Sequence, residues 1–167
     1  ALTAFIFLFN GCGSGETSFD LNLTISTITG QFIDDPVQGL GYSCSSGATG
    51  VTNFNGEYAC PVGDNVTFKI GSMAIGTVGA QATPITPYSL FPNDNAAALN
   101  LARLLQSLDT ISTDDVIILD ALKLDALKEA FTPLDLDFTN ASFETEMEAA
   151  PFITLVSEYE AQTTMNA

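Results

Sequence analysis

The sequence predicts an α+β protein: an antiparallel β-sandwich followed by a C-terminal α-helical part. Three observations carry this. Between residues 30 and 71 short runs alternate in polarity; in Asn65-Val66-Thr67-Phe68-Lys69-Ile70 the residues Val66, Phe68 and Ile70 share one face and Thr67 and Lys69 the other. Turn-forming groups separate these runs about every ten residues, at Asp34-Asp35-Pro36, Ser45-Ser46-Gly47, Asn55-Gly56 and Pro61-Val62-Gly63-Asp64. After Ile75-Gly76 the composition changes, and from residue 92 apolar residues recur at helical spacing.

Taken in order, residues 1–12 open with an almost wholly apolar run, Ala1 to Phe9, broken only by Thr3 and ending at Asn10-Gly11-Cys12. Nine residues are too few to span a bilayer. The run has the length of a signal-peptide core, and a small residue before a cysteine is lipobox-like, so we read 1–12 as a signal remnant with Cys12 as the lipidated residue. The alternative is retention, with Phe5, Phe7 and Phe9 on one face of a β-prone strand donated to a neighbouring copy. Residues 13–20 are small and polar, a tether. Leu21, Leu23 and Ile25 then alternate with polar residues, so the first strand is expected to start there and continue past Gly30, and the β module runs over 21–91.

Pro84, Pro87 and Pro92 mark an extended crossing out of the sheet, and 92–167 is the helical part, packed on the β module. Asn93, Asp94 and Asn95 offer N-caps for a helix whose inward face is Ala98, Leu101, Ala102, Leu105 and Leu108, with Arg103 and Gln106 outward. Val116-Ile117-Ile118-Leu119 reads as a short strand or the first turn of a helix reaching Phe131, with Leu122, Ala126, Leu127 and Ala130 on its apolar side. Two further short helices are expected over 142–150 and 151–162, the second with Pro151 in its first turn; Phe138, Phe143, Phe152 and Tyr159 read as core aromatics.

The run Thr52-Asn53-Phe54-Asn55-Gly56-Glu57-Tyr58, followed by Gly63-Asp64-Asn65-Val66-Thr67-Phe68-Lys69-Ile70-Gly71, resembles the T-[DN]-x-x-G-x-[FY] and G-[DE]-x-V-x-F-x-I-G signature of carboxypeptidase-regulatory-like β-sandwich modules. With Asp35-Pro36-Val37-Gln38-Gly39-Leu40 ahead and Ile85-Thr86-Pro87 behind, it is similar to uncharacterised proteobacterial surface lipoproteins over about residues 30 to 108. The resemblance implies an immunoglobulin- or transthyretin-like sandwich and brings no catalytic residue with it. The Asp/Gly/Asn-rich loop of such relatives is replaced here by Asp109-Thr110-Ile111-Ser112-Thr113-Asp114-Asp115.

Composition bounds the chemistry. Twenty acidic against four basic residues give a net charge of −16 on 167 residues, which repels phosphate backbones and argues against nucleic acid as a partner. The chain has no histidine, so neither Ser-His-Asp nor Cys-His chemistry is available, and no G-x-S-x-G or phosphate-loop motif occurs. We expect no enzyme activity, no cofactor and no metal site. Paired acids at Asp34-Asp35, Asp114-Asp115, Asp135/Asp137 and Glu144/Glu146/Glu148 lack an EF-hand spacing and read as solvated surface. With Cys12 set aside, Cys44 and Cys60 form an even pair on matching strand faces, Cys44 with Leu40 and Tyr42 and Cys60 with Tyr58; a disulfide between them suits an oxidising compartment. The expectation is a non-enzymatic bacterial cell-surface or secreted protein, anchored by lipid to the outer membrane, with a structural, adhesive or binding role toward a protein or carbohydrate. The alternatives are a filament subunit, a homopolymer built by donation of Ala1 to Phe9, and an extracellular carboxylate-dependent hydrolase.

Overall fold

Strand β6, Asn65–Ile70, buries Val66, Phe68 and Ile70 and leaves the intervening side chains toward solvent, as its alternation requires. The computed structural model describes residues 26–111, 114–131, 136–148, 150 and 153–165. Cys12, Phe5, Phe7, Phe9, the tether and the expected strand start at Leu21 lie outside them. Around β6 are β1 (Thr27–Gln31), β2 (Val37–Gln38), β3 (Gly41–Cys44), β4 (Thr49–Val51), β5 (Glu57–Pro61) and β7 (Met73–Gly79). The order β4-β3-β6-β7 makes a four-stranded antiparallel sheet, and β1 pairs antiparallel with β5. The chain is thus α+β with antiparallel sheets.

The expected turns all form. Gly47, Gly56 and Gly63 take φ of 101°, 71° and 90°, the left-handed region that glycine enters without steric cost. The sheet and the β1–β5 pair meet through aromatic edges: the Phe68 ring lies 4.9 Å from Phe32 and 5.3 Å from Tyr58, and Tyr42 lies 6.0 Å from Tyr58. A disulfide joins Cys44 of β3 to Cys60 of β5, with Cα atoms 5.7 Å apart.

Helix α1 (Pro87–Leu90) replaces the fully extended crossing expected there, although Ile85 does bridge to Phe32 beside β1. Its Leu90 packs over Gly76 of β7, where a Cβ would sit 3.0 Å from the Leu90 side chain. Helix α2 (Asn95–Ser107) starts where Asp94 accepts from the Ala97 N–H, at 2.9 Å. It buries Leu101, Leu104, Leu105 and the following Leu108 against Phe32, Phe68 and Ile85, so strands and helices share one apolar cluster.

Several expectations for the second half are corrected. Arg103 points inward, 3 % exposed, because its guanidinium has partners there. Of the two readings of residues 116–119 the short strand holds and the helix start does not: β8 (Ile117–Ile118) adds to β2 in parallel, and helix α3 (Ala121–Ala130) begins afterwards, capped by Asp120. Leu122 is 80 % exposed; α3 packs through Leu124, Leu127 and Ala130 instead. Helix α4 (Phe143–Met147) is shorter than expected. Residues 153–157 are not helical, and α5 (Glu158–Met165) starts where Ser157 Oγ accepts from Glu160 N–H while Glu160 accepts from Ser157 N–H, a reciprocal cap. Phe138 and Phe143 are core, but Tyr159 is 80 % exposed, and Phe152 lies outside the described residues.

Candidate functional site

The signature Thr52-Asn53-x-x-Gly56 proves to be a fastener. The buried Thr52 hydroxyl donates to Val37 O at 2.5 Å and accepts from Leu40 N–H at 3.0 Å, tying the β4–β5 connection to β2. Asn53 Oδ1 accepts from the N–H groups of Asn55 and Glu57, an Asx turn that Gly56 completes with its positive φ. The Thr52 hydroxyl is engaged inside the chain both as donor and as acceptor, and the motif positions strands.

Acidic side chains gather elsewhere. A groove of about 410 Å³ runs between the turn carrying Asp35, the end of α2 at Gln106 and Asp109, Asp114, and the face of α5 that bears Tyr159 and Glu160. Its position follows from two sets of long-range bonds. Pro36 O accepts from Ile117 N–H at 3.0 Å and Gln38 O from Leu119 N–H at 3.2 Å, which draws Asp109, Asp114 and Asp115 beside the 34–36 turn. Lys123 of α3 then donates to Ser107 O at 2.9 Å and Asp109 O at 2.6 Å, placing a cation on the carbonyl end of α2.

On the far side, α2 grips the chain before α5. Arg103 Nε donates to Val156 O and Val156 N–H donates to Ser107 Oγ, both at 2.9 Å, while Ser107 Oγ donates to Arg103 O at 2.6 Å. The Arg103 guanidinium also lies 3.3 Å from Glu144 of α4. Thr163 and Thr164, which line the groove, donate to the carbonyls one turn back in α5 and are not poised as nucleophiles.

Electrostatics separates two adjacent carboxyls. Asp34 is 6 % exposed; Gln106 Nε2 donates to its Oδ2 at 3.0 Å, and its Oδ1 is buried without a hydrogen-bond partner. Burial pushes the Asp34 carboxyl up to about 6, with the charge of Asp35 adding and the Gln106 bond opposing. Asp35, at the groove, is also raised, by burial first and then by Asp115, Asp109 and Asp114. By contrast Asp64 and Asp137, exposed acceptors of hydroxyl and backbone donors from Ser46 and Thr139, are lowered.

No family model, curated protein or solved structure matches this chain. The arrangement must therefore be read from its own residues. Two of the four acidic pairs, Asp34-Asp35 and Asp114-Asp115, are brought together with Asp109; Glu144 and Glu146 are engaged by Arg103 and Asn140; Asp135 lies outside the described residues. Among the described residues no three acids or cysteines converge as a metal-ligand set. Cys44 and Cys60 are bonded to each other, as their shared strand faces predicted. Sequence reasoning missed Arg103, Ser107 and Lys123 as the residues that assemble the groove; the signal that existed was Ser157-x-x-Glu160, which marks the true start of α5.

Proposed function

We propose that this chain is a non-enzymatic, extracytoplasmic module of a bacterial surface protein, lipid-anchored at Cys12, with a binding or structural role. The observation that carries the reading is the Cys44–Cys60 bond: both sulfurs are buried, and the link fastens β3 to β5, a use of cysteine that suits an oxidising compartment and not the cytosol. The four-stranded sheet, meeting the β1–β5 pair through Phe32, Tyr58 and Phe68, supports assigning the β module to the sandwich class of carboxypeptidase-regulatory-like domains. Intact-mass measurement of protein from its native host tests the anchor: a chain beginning at diacylglyceryl-Cys12 is expected, and an unmodified chain retaining Ala1 to Phe9 overturns it.

A filament subunit is the second reading, favoured by one feature. β7 closes the four-stranded sheet at one side, so its outer backbone groups over Met73–Gly79 face no further strand among the described residues. A donated strand carrying Phe5, Phe7 and Phe9 would pair there. Phe7→Asp is then expected to abolish polymers seen by electron microscopy while leaving the β module folded; if the wild-type chain forms no polymer, this reading fails.

A further inference from the structure

Asp34 is a carboxyl placed where an ionised carboxyl is costly. One oxygen receives a single neutral donor, Gln106, and the other is buried without a partner. The small pocket of about 70 Å³ that Asp34 lines is closed by Ile33, Thr86, Pro87 and Tyr88 on the α1 side and by Met165 of α5. Among the described residues no Lys or Arg lines that pocket or the neighbouring groove. The charged groups that face the turn from other elements, again among the described residues, are acids: Asp109 after α2, Asp114 and Asp115 before β8, and Glu160 of α5 across the groove. Near α2, Arg103 is turned to Val156 and Glu144, and Lys123 to the backbone carbonyls of Ser107 and Asp109.

We propose that Asp34, with the carboxylates crowded around Asp35, forms a proton-operated clasp that holds the 34–36 turn onto α2 and α5 in mildly acid solution and slackens it as the carboxyls ionise. The turn is a joint of the fold. Through Pro36 and Gln38 it carries the parallel β2–β8 link, and Asp34 and Gln106 join it to α2; ionisation strengthens that one bond but buries a charge whose other oxygen has no partner, and this larger cost is what strains both sides of the groove. The sign follows from the raised value. Stabilisation by the neutral carboxyl is complete below the ordinary 3.8 and is lost as pH rises through about 6. From pH 4.5 to 7.5 this one group lowers the folding equilibrium constant by roughly thirtyfold.

The direct test is a carbon-detected NMR titration of the aspartate carboxyls in the full chain, with Asp34 assigned by connecting its carboxyl to its backbone resonances in the wild-type protein. A midpoint near 6 is expected; a midpoint below about 4.5 overturns the proposal. Urea unfolding at pH 4.5 and 7.5 supplies the second readout. An acidic chain gains stability in acid for general reasons, so Asp34→Asn is compared with Glu129→Gln, which removes an exposed charge. The pH dependence should flatten in the first variant and stay parallel to wild type in the second; equal slopes in all three proteins refute the clasp. Hydrogen-exchange protection at Ile117 and Leu119, corrected for intrinsic rates, should fall at pH 7.5 in the wild type. Unchanged protection would refute the slackening. The titration needs only the wild-type fold, so the proposal stays testable if Asp34→Asn folds poorly.

Discussion

At the scale of single residues, Arg103 shows how a charge can belong in a core. Its stem and guanidinium are buried, its Nε satisfies Val156 O, and Glu144, itself 70 % exposed, supplies the opposite charge. The two ends of that ion pair therefore differ in weight. Arg103→Ala removes packing and leaves Val156 O without its donor, a loss of about 2–4 kcal/mol, whereas Glu144→Gln alters a partly solvated pair and costs below about 1 kcal/mol. Urea midpoints of the two variants check this; equal costs would mean that the pair acts mainly through its charge. Glycine supplies a second contrast. At Gly56 a Cβ would lie 2.5 Å from Phe32 O with φ at 71°, while at Gly47, φ 101°, nothing lies within 4 Å. Gly56→Ala should thus lose about 2–3 kcal/mol and Gly47→Ala only the backbone strain of about 1 kcal/mol, an ordering that thermal melts resolve.

At the scale of elements, the disulfide fastens the four-stranded sheet to the β1–β5 pair, beside the ring contacts of Tyr58 with Tyr42 and Phe68. It closes a loop with a sequence separation of 16 residues. Reduction, or Cys44→Ala with Cys60→Ala, should cost about 3 kcal/mol, and the denatured unreduced protein should show neither thiol free by titration. These strands were legible because each signal was local: alternation in β5 and β6, and turn residues whose φ the chain then adopts at Gly47, Gly56 and Gly63. What stayed hidden depended on distant partners. Residues 116–119 read equally as a short strand or a helix start, and what decides for the strand is the pairing of Ile117 and Ile118 with Val37 and Gln38, which no local period shows. Arg103 looked outward because charge is an outward signal until Val156 O meets it from 53 positions away. Of the acidic groove the sequence showed two separate pairs, Asp34-Asp35 and Asp114-Asp115, but not the meeting of Asp35 with Asp109, Asp114 and Asp115. Leu122 shows the reverse failure, an apolar residue at helical spacing whose face finds nothing to cover it among the described residues.

At the scale of the whole molecule, the boundary drawn near residue 91 from composition does not mark a boundary in the core. Leu101, Leu104, Leu105 and Leu108 of the helical part belong to the same cluster as Phe32, Phe68 and Ile85 of the β module, and Phe91 lies 5.8 Å from Phe138. Removing 92–165 would expose those apolar faces together. A leucine side chain contributes about 2 kcal/mol by full burial, so losing four such contacts rivals the entire stability of a small domain. The strands also lose Gln106, the donor to Asp34, and the parallel support of β8. We therefore expect the intact chain to unfold in one transition. Far-UV circular dichroism and tyrosine emission should give the same urea midpoint, since Tyr58 lies in the strands and Tyr159 in α5. A fragment of residues 26–91 should show the dichroism of an unfolded chain, even with Cys44 and Cys60 oxidised. A folded, β-rich fragment, or two separated midpoints in the intact protein, would instead make the helices an appendage, and the groove between the 34–36 turn and α5 would then be a joint between two independently folding bodies.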